Sequence, residues 1–177
     1  MERMINGLFL KNGPDSQQLI RVTATTRPGP AAMLETFERN AGHWRTVFPP
    51  LAAVIGAGGF TPHKVEGDRC SPQGLFRLGP CFGKYPRPRT RMPYRQTTVH
   101  DVWVDDPASA WYNTWQVVPA RGRWRSAEAL RRSDHLYDDA VVIHYNTVER
   151  IPGRGSAIFL HVRAMSSSYR GKISLTN

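Results

Sequence analysis

The sequence predicts a single, mainly β domain. Three observations lead there: many short apolar or alternating segments, 15 Gly and 14 Pro to make turns, and one segment only that reads as a helix. Leu19–Thr25 (LIRVTAT) alternates apolar and polar residues, the period of a half-buried strand, and RPGPA then breaks it. Met33–Arg39 and His43–Phe48 read as two strands joined at Asn40-Ala41-Gly42, a hairpin signal with a glycine for positive φ. Leu51–Ile55 is a short apolar run ending in GAGG. Leu75–Leu78, Val102–Val104, Thr114–Val118, Ala140–Tyr145 and Ala157–Val162 are further strands, rich in β-branched and aromatic residues. The helix is expected over Ser126–Ser133, where Ser126 can cap and Glu128 meets the positive end of the dipole. A sandwich or a closed mixed sheet would accommodate this set.

Bulk properties narrow the class. The 177 residues fit one domain, and 40% hydrophobic with 21% charged residues reads as globular rather than disordered. No apolar run is long enough for a membrane helix, and two cysteines, Cys70 and Cys81, are too few for a disulfide scaffold. The N-terminus lacks the long apolar core and small-residue cleavage site of a secretory signal. Read literally, the chain stays in the cytoplasm. The net charge is +10, and 20 of the 24 basic residues are arginine. Arg69, Arg77, Lys84, Arg87, Arg89, Arg91 and Arg95 follow one another with no acidic residue between them. Such a strip could bind phosphates, attract an anionic polymer such as a cell wall, or be a solvated loop. No helix-turn-helix or zinc-finger spacing accompanies it, so no specific nucleic acid is expected. GAGGF lacks the dinucleotide-binding spacing, and the six histidines are scattered without H-E-x-x-H. No metal and no organic cofactor is expected.

One ordered run of segments is more informative. KVEGDRCSPQGLFRLGPCFG (Lys64–Gly83) is followed by VDDPASAWYNTW (Val104–Trp115), WRSAEALRRSDHLYDDAVVIHYNT (Trp124–Thr147) and IPGRGSAIFLHV (Ile151–Val162). In this order they resemble the YkuD-type L,D-transpeptidase catalytic domain, over about residues 17 to 162. The resemblance implies a mixed β-sheet sandwich with one short α-helix, preceded by a lead-in over residues 1–16. It also implies a cysteine nucleophile and a histidine base acting on peptidoglycan stem peptides. Such enzymes cleave the bond before a terminal D-alanine and pass the acyl group to an amine on a neighbouring stem.

Acyl transfer needs a nucleophile, a base and donors for the oxyanion. The family's histidine matches His161. Its Thr/Ser-x-Gly-Cys turn falls on SSYRGKISL, with Gly171 on the family glycine and Lys172 on the cysteine; no cysteine follows Cys81. A lysine there is mostly protonated at neutral pH, and Ser166, Ser167 and Ser168 would serve only if His161 reached them. Cys70 lies in a turn to which the resemblance assigns no catalytic part. Tyr145, Asn146 and Ser156 are candidates for lining a substrate cleft. Five residues remain after Lys172, so the domain over 17–177 is expected to be altered or truncated at its C-terminal end. The expectation is an inactive or impaired transpeptidase, acting in the periplasm or cell wall if it follows the family. A non-catalytic peptidoglycan binder is the alternative, and a basic nucleic-acid-binding protein a third.

Overall fold

The computed structural model describes residues 16–25, 29–162 and 173–176, the last four through their backbone alone. The chain is mainly β, with thirteen strands and no α-helix among the described residues. β1 (Gln18–Ala24), β2 (Ala31–Asn40) and β3 (His43–Ile55) form an antiparallel meander. The β2–β3 turn is Ala41-Gly42, both residues at positive φ (48° and 83°), which gives a two-residue hairpin the twist its strands require. The ladder slips its register between Leu34 and Phe37, opposite the part of β3 that holds Pro49 and Pro50. Proline has no N–H to donate, so an irregularity belongs there.

The meander is one flank of an eight-stranded mixed sheet. Beyond β3 come β13 (Ile173–Thr176), β12 (Phe159–Val162), β11 (Asp139–Ile143), β6 (Leu78–Gly83) and β7 (Tyr94–Gln96). β8 (Asp101–Val104) lies between β10 (Ala127–Ala129) and β9 (Trp115–Val117) in a second sheet, and β4 (Phe60–Thr61) pairs with β5 (Ser71–Pro72). The two larger sheets meet through a dry aromatic cluster. Phe159 has no exposed surface and lies 5.1 Å from Phe82, 5.2 Å from Trp103 and 5.5 Å from Tyr137, centroid to centroid and near-perpendicular in each case. Each such pair adds about 0.5–1.5 kcal/mol beyond the area it buries. The other face of the large sheet carries Ala32, Leu34, Ala53 and Ile55, backed by Phe60, Ile143 and Leu160.

The helix expected over Ser126–Ser133 does not form. Ala127, Glu128 and Ala129 pair instead with Val104, Trp103 and Val102 as β10. Leu130 is fully buried, and its N–H donates to the carbonyl of Asp101. Helix propensity differs by only tenths of a kcal/mol among these residues, whereas burying a leucine is worth about 1.5–3 kcal/mol. Packing decides the element. Leu75–Leu78 also shifts: the strand begins at Leu78 and runs on to Gly83. No described helix is long and apolar enough to cross a membrane.

Candidate functional site

His161 lies on β12, opposite Ala140 of β11 and Ser174 of β13. The register puts it in one row with Phe82 and Ala140, on the face of the aromatic cluster. It is 3% exposed, and the Tyr137 ring packs against it near-perpendicularly, with centroids 5.1 Å apart. Nδ1 lies 3.0 Å from the carbonyl oxygen of Leu136 and 2.8 Å from that of Val162. Two carbonyls can only accept, so Nδ1 carries the proton and the lone pair of the neutral ring resides on Nε2. Burial pushes the imidazole below its ordinary value; the two carbonyl bonds and Asp134 oppose this, while Arg132 adds to it.

Two consequences follow for titration. By heteronuclear NMR, His161 is expected to be the Nδ1–H tautomer and to titrate below 6.5, the ordinary imidazole value. Its native pKa lies under the unfolded one, so its contribution to stability is complete above about pH 6.5 and is lost as the pH falls through the native pKa. A titration at or above 6.5 would contradict the buried placement.

The segments that carried the resemblance converge on a second cluster, around Asn113. Asn113 holds a positive φ of 55°, which asparagine tolerates better than most residues. Its Oδ1 accepts from Trp103 Nε1 (2.7 Å) and the Ala157 N–H (3.2 Å), and its Nδ2 donates to the carbonyls of Tyr145 (3.1 Å) and Asn146 (2.7 Å). Asn146 in turn spans its own loop. Its Nδ2 donates to the carbonyls of Ile151 and Gly155, each at 3.0 Å, and its Oδ1 accepts the Ile151 N–H at 2.8 Å. The Tyr145 hydroxyl donates to the Arg154 carbonyl (2.8 Å). Ser156 is fully buried against Tyr112, whose hydroxyl donates to Glu66. Lys64, buried like Ser156, pairs with Asp68 at 2.6 Å. Gly155 sits over Lys64 at φ 96°, where a Cβ would stand 2.8 Å from Lys64 Cγ. The loops of residues 64–70 and 145–156 are therefore locked to Tyr112 and Asn113.

This arrangement distributes the expected site residues unevenly. His161 is buried on β12 with its Nδ1 held by two carbonyl oxygens. Tyr145 and Asn146 hold their loop together, Ser156 is fully buried, and none of the three lines either of the two cavities described next. Gly171 and Lys172, like Ser166, Ser167 and Ser168, fall outside the described residues. Ile173, directly after Lys172, pairs with Val162 and Ala53, so the chain re-enters the sheet beside the strand of His161. The part played by Asn113 and by the Lys64–Asp68 pair was missed, although both lie inside the motifs quoted.

A cavity of about 260 Å³ has Cys81, Leu160, His161 and Val162 in its wall. Cys81, Val141 and Leu160 form one row and Phe82, Ala140 and His161 the next. Successive rows project from opposite faces, so the Cys81 thiol and the His161 imidazole point apart. Burial and the nearby Asp139 carboxylate push this thiol's pKa up, which disfavours thiolate. Cys70 is also a free thiol, beside Gly58, with Sγ 3.5 Å from the Asp68 carbonyl oxygen. A groove of about 1300 Å³ crosses the other face of the sheet, lined by Ile20, Phe37, Phe48, Phe76 and Leu160 among others. Among the described residues no group of His, Cys, Asp and Glu side chains is disposed to hold a metal ion. Compared with known proteins, the chain matches no family model, no curated protein and no solved structure.

Proposed function

We propose that the chain is an L,D-transpeptidase-type domain that binds peptidoglycan stem peptides and does not turn them over. The observation that carries this reading is His161: a buried, neutral imidazole held through Nδ1 by two carbonyls, on the strand where the resemblance expects the base. Nε2 of such a ring can take a proton from an attacking thiol. In the reaction the resemblance implies, the thiolate attacks the carbonyl before the terminal D-alanine and expels D-alanine as the amine. The resulting thioester then passes its acyl group to a second stem. Lys172 stands where that thiol is expected, and a protonated amine has no lone pair with which to attack. The Cys81 thiol points away from the His161 imidazole and does not substitute for it. A substrate of this kind lies outside the cytoplasmic membrane, and that is where the domain would act.

The test is to titrate the protein with a soluble stem tetrapeptide by calorimetry and to assay the same mixture for D-alanine. Binding without release is the expected result. Clear release would overturn the claim of no turnover, and its loss in Cys70→Ala would assign the nucleophile to that thiol. Neither binding nor release would remove the transpeptidase reading altogether.

A further inference from the structure

The connection from β6 to β7 concentrates the positive charge. These strands are parallel neighbours, so no tight turn can join them, and residues 84–93 must travel back across the sheet. They do so as KYPRPRTRMP, without a helix. Its prolines remove N–H donors and hold the segment out of any ladder. The loop is nevertheless braced. Arg87 Nη2 donates to the carbonyls of Thr90 (3.1 Å) and Met92 (3.3 Å), and the Tyr94 hydroxyl donates to the Tyr85 carbonyl (2.6 Å). Tyr85, Arg87, Arg89 and Arg91 are exposed. Arg21, Lys64, Arg95 and Arg132 all meet carboxylates. Lys84, Arg87, Arg89 and Arg91 form no ion pair among the described residues.

The loop's position relates it to the candidate site. β6 ends at Gly83 opposite Asp139, and β12 ends at Val162, one residue past the pairing of His161 with Ala140. The crossover therefore leaves the sheet at the same end at which the chain leaves the His161 strand. Pro88 and Thr90 then line the 260 Å³ cavity together with Val162.

We propose that this arginine-rich crossover is a docking surface for the free carboxylates of peptidoglycan stem peptides, holding the polymer beside the His161 strand. The proposal rests on the function proposed above. Guanidinium forks match carboxylates in bidentate pairs, and isolated carboxylates need only one or two such forks. A nucleic-acid backbone instead presents a dense, continuous line of charge and requires a continuous basic track. Here Asp138 and Asp139 interrupt the track at the strand end.

The test uses the full chain and the double variant Arg89→Gln/Arg91→Gln. Both side chains are exposed and make no described contact, so the thermal midpoint should not move. Retention on purified peptidoglycan sacculi is measured at about 50 mM salt and again at about 500 mM, where exposed charges are screened. The wild type is expected to bind at low salt and to be released at high salt. The double variant should bind roughly tenfold more weakly, and sacculi with amidated carboxyl groups should lose wild-type binding to the same extent. Equal binding by the variant, or indifference to amidation, would overturn the proposal. Arginine-dependent retention on duplex DNA but not on sacculi would overturn it in favour of a nucleic-acid surface. The two proposals fail separately. D-alanine release by a Lys172→Cys protein whose sacculus binding ignores the arginines would sink the docking surface alone. Arginine-dependent sacculus binding in a Lys172→Cys protein without release would sink the transpeptidase reading alone.

Discussion

Lys172→Cys is expected to release D-alanine from a stem tetrapeptide that the unsubstituted chain, on the proposed function, leaves intact. The substitution supplies a thiol at the one position where the resemblance expects it. The proposed function makes His161 the base: burial depresses its pKa, and its Nδ1–H is committed to Leu136 and Val162. That leaves Nε2 as the basic nitrogen. General-base assistance contributes about 10²–10⁴ in rate. Adding His161→Ala to Lys172→Cys should therefore lower the acquired release by about a hundredfold or more. Lys172→Ala removes the same ammonium without supplying a nucleophile and should stay silent. The measurement is D-alanine liberated per enzyme per hour, with thiol alkylation as a check that release depends on sulfur. A Lys172→Cys protein that binds the tetrapeptide and releases nothing would show that His161 is not placed to serve a nucleophile there, and would remove the transpeptidase reading while leaving stem-peptide binding.

The second large effect concerns stability. Asn113→Ala should cost about 3–5 kcal/mol, read as a drop in the urea midpoint. It strips partners from Trp103 Nε1 and the Ala157 N–H, both buried, and from the carbonyls of Tyr145 and Asn146. It also leaves an alanine at φ 55°, a region that costs roughly 1–2 kcal/mol without a compensating side chain. Asn113→Asp is the sharper variant because the shape is kept. It sets a carboxylate oxygen against two carbonyl oxygens, so the native state favours the protonated acid and its pKa rises above the unfolded value. The variant should accordingly regain stability as the pH falls below that native pKa, and lose it as the pH rises through it. A cost under about 1 kcal/mol in both variants would show that the loops of residues 64–70 and 145–156 do not depend on Asn113.

The strands were legible where alternation and turn chemistry agreed. Leu19–Thr25 maps onto β1 within a residue, and Asn40-Ala41-Gly42 marks the hairpin because only a few residue types accept its backbone. Ser126–Ser133 misled because its capping serine and acidic first turn are local signals. The burial of Leu130 and the pairing of Ala127–Ala129 with β8 are not local. His161 could be found from its neighbours in IFLHV, but its protonation state could not, since that depends on the Leu136 carbonyl 25 residues away. Tyr145, Asn146 and Ser156 were readable as special, but the hydrogen bonds of Tyr145 and Asn146 to the backbone carbonyls of their own loop were not. A side chain that satisfies backbone groups across a loop leaves the same mark in a sequence as one that faces a cleft.

The placement of β13 bears on how the molecule assembles. In the described sheet it is the strand that joins the β1–β3 meander to the β12–β11–β6–β7 half, pairing Ile173 with both Ala53 and Val162. Local collapse can form the meander early, because its contacts are close in sequence. The seam cannot zip until residues 53 and 173 meet, and closing so long a loop is slow in entropic terms. This topology predicts a half that forms fast and a seam that closes late, so that the strand of His161 would acquire its second neighbour only when that seam closes.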